Sequence, residues 1–176
     1  QSVKEKKSDI VISAGNTGAL LVISKLNLKM IENIDKPALS ALWPNKTNMS
    51  VVLDLGANIE CSPKNLIDFS IMGSSLFKSL YPDDAARVAL LNIGSEELKG
   101  NEIIKETYQQ LNQRNNTGFE FMGYIEGNQL MNGDVNVIVA DGFTGNVALK
   151  TAEGTANFIT SELKKAMTGN IIGKIS

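Results

Sequence analysis

Along the chain, short apolar runs alternate with longer stretches of helical character. Ile10-Val11-Ile12, Ala38 to Trp43, Ser50 to Leu55, Arg87 to Ile93, Phe119 to Met122 and Val135 to Ala140 read as extended segments. Between them, Asn16 to Ile31, Lys64 to Leu80, Glu102 to Gln113 and Gly145 to Met167 read as helices. This alternation predicts an α/β fold of three layers, a mostly parallel sheet with helices on both faces, forming one domain over residues 1–176.

Local signals set the boundaries. Asn16 and Thr17 are caps for the first helix, whose apolar early turns predict burial against the sheet. Ser62-Pro63 opens the second. Asn115-Asn116-Thr117-Gly118 ends the third, and Gly169-Asn170 the fourth. On that last helix Phe158, Ile159, Leu163, Ala166 and Met167 share a face that reads as core. Ile171, Ile172 and Ile175 prolong the apolar character, as a tail would that is buried in a partner subunit, a missing segment or a membrane surface.

Each strand delivers a small, polar crest. The two most alike are Ser13-Ala14-Gly15-Asn16-Thr17-Gly18 and Asp141-Gly142-Phe143-Thr144-Gly145-Asn146, which align Gly15 with Gly142, Thr17 with Thr144 and Gly18 with Gly145. A strand that opens a helix through small residues leaves backbone N–H groups at the positive end of the helix dipole, where phosphate is stabilised. In a parallel sheet such crests share the carboxyl edge and can face one crevice. Gly15, Asn16, Thr17, Gly18, Gly142, Thr144 and Gly145 are therefore candidate phosphate-binding residues; the competing reading is a pair of tight turns with Thr caps. Asp54, set in an apolar strand before Gly56-Ala57-Asn58, is a site candidate together with Asn58, or else a structural hydrogen-bonding group. Lys99 precedes a helix entry, where a cation opposes the dipole, and so hints at a bound anion against the reading of a solvated surface lysine.

Composition narrows the chemistry. A chain of 176 residues with 43% apolar content can build a core, and 17 Lys+Arg against 19 Asp+Glu leave no concentrated basic face for nucleic acid. The single cysteine, Cys61, allows no internal disulfide and points to a reducing, cytoplasmic setting. Histidine is absent, which removes Ser-His and Cys-His nucleophile pairs and imidazole-based zinc sites, so Cys61 is a poor nucleophile. No apolar run approaches the roughly 20 residues of a membrane span. No metal or cofactor is expected.

The motifs Ser13-Ala14-Gly15-Asn16-Thr17-Gly18-Ala19-Leu20, Leu53-Asp54-Leu55-Gly56-Ala57-Asn58, Leu91-Asn92-Ile93-Gly94-Ser95-Glu96, Lys99-Gly100 and Asp141-Gly142-Phe143-Thr144-Gly145-Asn146 resemble, in order, those of the PlsX family of bacterial phosphate acyltransferases. The resemblance implies transfer of a fatty acyl group from an acyl carrier protein thioester to inorganic phosphate, giving an acyl phosphate that a membrane glycerol-phosphate acyltransferase consumes in phospholipid synthesis. It also implies a homodimer, peripheral membrane contact, and a fold similar to phosphate acetyltransferases and isopropylmalate dehydrogenases. Its active-site lysine and asparagine fall on Lys99 and Asn146. The family's opening Asp-Ala-Met-Gly-Gly-Asp motif does not occur here, as expected of an internal piece of a longer chain.

The residues agree with that chemistry. A phosphate dianion is nucleophilic near neutral pH, so a histidine base is dispensable, and a thioester carbonyl needs oxyanion stabilisation above all. Crest N–H groups with the Thr17 and Thr144 hydroxyls would hold phosphate, while Lys99 and Asn146 neutralise developing charge. The Phe158 to Ile175 face is a candidate acyl channel or bilayer contact. An acyl-CoA phosphotransacetylase and a non-catalytic phospholigand-binding module remain alternatives.

Overall fold

The computed structural model describes residues 1–114 and 118–168. Its elements are helix α1 (Thr17–Leu28), strands β1 (Ser40–Pro44) and β2 (Met49–Leu53), helix α2 (Pro63–Leu80), strand β3 (Arg87–Asn92), helix α3 (Glu102–Asn112), strand β4 (Glu120–Glu126), a 3-10 turn (Gly127–Gln129), strand β5 (Val137–Val139) and helix α4 (Gly142–Thr168). The sheet order is β1-β2-β5-β3-β4. Only β1 runs antiparallel, as a hairpin with β2; the β2–β5, β5–β3 and β3–β4 pairs are parallel.

The core is written in strand alternation. Val51 and Leu53 of β2, Val88 and Leu90 of β3, and Val137 and Val139 of β5 face one way, where α2 and α3 bury them with Leu66, Phe69, Ile104 and Leu111. Val52, Ala89, Leu91 and Ile138 face the other way, against Trp43, Leu130 and the α4 residues Ala148, Leu149 and Ala152. Both faces being covered explains why consecutive residues 51–53, 88–91 and 137–139 of these strands are apolar. The result is the expected three-layer arrangement. Helix α2 starts at Ser62, whose hydroxyl accepts from Asn65 N–H while the Asn65 side chain accepts from Ser62 N–H. It crosses close to the sheet at Gly73, where a Cβ would stand 2.6 Å from Val137 and 2.8 Å from Leu53.

Some expectations fail. Ile10-Val11-Ile12 forms no strand: Ile10 is 74% and Ile12 90% exposed, and none of the five described strands pairs with it. Helix α1 forms, because Asn16 Oδ1 caps it through Ala19 N–H at 3.0 Å, but none of its residues is buried. Capping is local, whereas burial needs a partner surface that the described residues do not bring to it. Strand β4 runs on through Gly123-Tyr124-Ile125-Glu126, beyond the Phe119 to Met122 expected from the sequence. Gly123 adopts φ +83°, and the β3–β4 register shifts there while pairing continues. Phe158, Leu163 and Met167 are exposed rather than core. The Asn115-Asn116-Thr117 turn, the Gly169-Asn170 stop and Ile171, Ile172 and Ile175 lie outside the described residues.

Candidate active site at the carboxyl edge of the sheet

The parallel strands β2, β5 and β3 end side by side, so the segments 54–58, 140–146 and 93–100 line one edge of the sheet in that order. Two of these crests are locked together by backbone contact. Gly142 N–H donates to the Asn58 carbonyl at 2.7 Å, and a Cβ at Gly142 would lie 2.6 Å from that oxygen. A Cβ at Gly145 would overlap the carbonyl oxygen of Asp54. Both glycines are therefore needed so that the first turn of α4 can lie on the 54–58 backbone, a reason of packing.

Asp54 is fully buried, and its carboxylate accepts from the N–H groups of Leu39, Gly56, Ala57 and Asn58 and from the Asn58 amide at 2.7–3.2 Å. Asn58 also donates to the Pro37 carbonyl at 2.7 Å. The N–H groups of this crest thus turn inward to Asp54. At the head of α4, Asp141 does the same: Oδ1 accepts from Thr144 N–H at 2.8 Å and Oδ2 from the Thr144 hydroxyl at 2.9 Å. Gly145 N–H donates to the Asp141 carbonyl. A carboxylate of the protein itself therefore occupies the helix terminus, as dipole and unpaired donors favour. The sequence reading named Asp141 within its motif and gave it no role. The aspartate-x-x-threonine spacing before an apolar helix was the available signal.

The two aligned motifs differ in helix register. Thr17 is the first residue of α1, behind the cap Asn16, whereas Thr144 is the third of α4 and bonds back to Asp141. Gly15 and Gly18 meet no atom beyond Ser13 and Asn16 within 4 Å of an added Cβ. Gly15, Asn16, Thr17 and Gly18 are exposed, and the described structure does not bring them to the β2–β5–β3 edge.

Lys99 and Asn146 stand on the crests that follow the adjacent strands β3 and β5, and both are exposed. The Asn92 amide, at the end of β3, holds the Lys99 loop by donating to the Lys99 carbonyl at 3.1 Å. Gly100, at φ +94°, would bring a Cβ to 2.6 Å from Asn92 Oδ1. The Lys99 side chain lies across Gly94, where a Cβ would stand 3.0 Å from Lys99 Cγ. The sequence reading named Asn92 within its motif and gave it no role. Asn146 lies over Gly56, which adopts φ +129°.

Beside this edge a cleft of about 310 Å³ is lined by Cys61, Asn101, Ile103, Asp141, Phe143 and Thr144. Burial pushes the Cys61 thiol above its ordinary value, against the smaller pull of the Gly142 backbone hydrogen bond, so thiolate is scarce there. On the opposite face an apolar groove of about 610 Å³ runs between Trp43, Leu130, Met131 and the α4 residues Ala148, Ala152 and Ile159. Among the described residues no group of acidic, cysteine or histidine side chains could hold a metal ion. No helix among them is long and apolar enough to cross a membrane.

The family model of fatty acid synthesis proteins matches residues 1–176, the whole chain. The chain belongs to this family, the PlsX family. The PlsX chain is 95% identical over 176 residues to the phosphate acyltransferase of Pelagibacter ubique strain HTCC1062, covering all of this chain and 53% of that protein. It is 43% identical to the phosphate acyltransferases of Maricaulis maris and of Rhizobium leguminosarum, covering 100% and 99% of this chain and 50% of each relative. It thus spans about half the length of the curated relatives it matches. In fold it is similar to the EutD phosphotransacetylase of Staphylococcus aureus, with a TM-score of 0.58 at 15% identity over 84% of this chain and 49% of that one.

Proposed function

We propose that the protein to which this PlsX segment belongs transfers a fatty acyl group from an acyl carrier protein thioester to inorganic phosphate. The observation that carries the reading is the 95% identity, across the whole chain, to a protein named phosphate acyltransferase. The geometry is compatible with it, since a cation and an amide stand on neighbouring crests at one sheet edge.

In this mechanism a phosphate oxygen attacks the thioester carbonyl and forms the C–O bond, giving a tetrahedral oxyanion; its collapse re-forms the carbonyl, breaks the C–S bond and releases the carrier thiolate, leaving acyl phosphate. Lys99 neutralises charge on phosphate, and the Asn146 amide donates to the oxyanion. No covalent acyl-enzyme is required. Gly142, Thr144, Gly145, Asp54 and Asn58, whose polar groups or close contacts are engaged within the protein, serve this edge as its frame. Gly15, Asn16, Thr17 and Gly18 remain proposed phosphate contacts through the first-turn N–H groups of α1. A homodimer, with peripheral contact to the membrane that houses a glycerol-phosphate acyltransferase, fits the exposed apolar positions Phe158, Leu163 and Met167 of α4.

The test is acyl phosphate formation by a full-length protein carrying this segment, offered acyl carrier protein or coenzyme A thioesters. Lys99→Ala and Asn146→Ala should each lower turnover by about a hundredfold, the magnitude of a lost oxyanion donor. Undiminished turnover in both variants would remove these roles. Activity on the coenzyme A thioester alone would support a phosphotransacetylase, and phosphate binding without turnover a binding module.

A further inference from the structure

Asp54 is a carboxylate with 0% exposure and no cation within 4.0 Å among the described residues. Five N–H donors neutralise it: the backbones of Leu39, Gly56, Ala57 and Asn58, and the Asn58 amide. Ionic burial of this kind is costly unless every lone pair is met, and here the donors come from a lead-in segment, a crest and a side chain that would otherwise be independent. Replacing either oxygen by a donor would set it against the N–H groups that it now accepts from.

What this arrangement fixes is the position of Gly56. Gly56 sits at φ +129°, and a Cβ built on it would stand 3.5 Å from Asn146 Cγ and 3.8 Å from Asn146 Nδ2. Gly56 therefore faces the Asn146 side chain, with room between them for no more than a methyl group. Gly145, next in sequence, rests on the Asp54 carbonyl, so the same aspartate meets α4 from its main chain and Gly56 from its side chain.

We infer that Asp54 is a positioning residue for the acyl transfer: it holds Gly56 as the seat of Asn146 and thereby aims the Asn146 amide at the oxyanion. The inference rests on the reading of Asn146 given above. Asp54 itself touches no substrate. Its effect is therefore a loss of turnover, with little change in the affinity for phosphate.

The test uses the full-length protein. In Asp54→Asn one carboxylate oxygen becomes an NH2 group that confronts N–H donors. The expected result is a fall in kcat of about 10- to 100-fold, the cost of a small misplacement of a catalytic group, with KM for phosphate and for the acyl donor within about twofold. In an Asn146→Ala background the same substitution should cost less than about threefold, because the residue it acts through is gone. Equal costs in both backgrounds, or a raised KM for phosphate at constant kcat, would overturn the inference. Should Asp54→Asn not fold, Gly56→Ala takes its place with the same expectations. Should the unsubstituted protein make no acyl phosphate, the functional reading fails, and the seat itself is read by NMR. The Asn146 side-chain amide signals, identified by their absence in Asn146→Ala, should shift in Asp54→Asn, and unshifted signals would refute the contact.

Discussion

Gly142 is where a single methyl group tests whether the crests are joined as described. An alanine there would place its Cβ 2.6 Å from the Asn58 carbonyl oxygen, 2.8 Å from its nitrogen and 2.9 Å from its carbonyl carbon. Ordinary contact begins near 3.4 Å, so the first turn of α4 must retreat by about 0.8 Å, the difference from 2.6 Å. Asn58 cannot yield instead, because Asp54 holds both its N–H and its amide. A retreat of that size stretches the Gly142 N–H bond to Asn58 from 2.7 Å to the limit of hydrogen bonding. Losing that bond costs about 0.5–1.5 kcal/mol and overpacking about 1–3 kcal/mol. The better helix propensity of alanine returns at most about 1 kcal/mol. The net expectation is a loss of about 1–3 kcal/mol, read by urea unfolding of the full-length protein. Because Asn146 lies one turn further along the same helix, turnover should fall by about 10- to 100-fold as well. A Gly142→Ala protein with unchanged midpoint and unchanged turnover would refute the close packing of α4 on the 54–58 backbone.

Three further outcomes follow from the fold. Gly73→Ala should destabilise by about 1–3 kcal/mol in the same unfolding assay, since its methyl meets Val137 and Leu53 in the packed core. Asn101 Oδ1 accepts from Ile104 N–H at 2.9 Å, so Asn101→Ala should cost about 0.5–2 kcal/mol, and Asn101→Ser should restore most of it. Cys61, pushed up by burial, should resist iodoacetamide at neutral pH. Above its ordinary value of 9.0 the unfolded chain ionises first, so the thiol's contribution is present below that pH and is lost as pH rises through the folded value. Cys61→Ala should flatten the fall in stability over that alkaline window, and an unchanged slope would dismiss the burial effect.

Much of this architecture was legible locally. The Ser62-Pro63 start, the Asn16 cap, the apolar runs of strands β2, β3 and β5 and the glycine crests after them depend on neighbours within a few residues, and each stands at its expected place. The placing of Lys99 and Asn146 on the segments that follow β3 and β5 belongs with these. The sequence could not say which crest N–H groups point outward, because that depends on acceptors brought from elsewhere in the fold. Asp54 draws in the donors of Gly56, Ala57 and Asn58 together with that of Leu39, and Asn58 takes the donor of Gly142. Nor could it tell that two motifs alike in letters differ in helix register, since the cap is Asn16 in one and the head of the other is held by Asp141.

Strand order was likewise decided in three dimensions. Whether Ile10-Val11-Ile12 joins a sheet depends on a partner strand brought from elsewhere in the chain, and none of the described strands pairs with it. Periodicity in the chain determines which residues can share a face and where helices begin. The pairing of β2 with β5 and β5 with β3, on which the whole site edge depends, comes from contacts more than eighty and about fifty residues apart along the chain, between Val51 and Val137 and between Val88 and Val137. Local propensity carries no term for such distances; burial and hydrogen bonding between segments do.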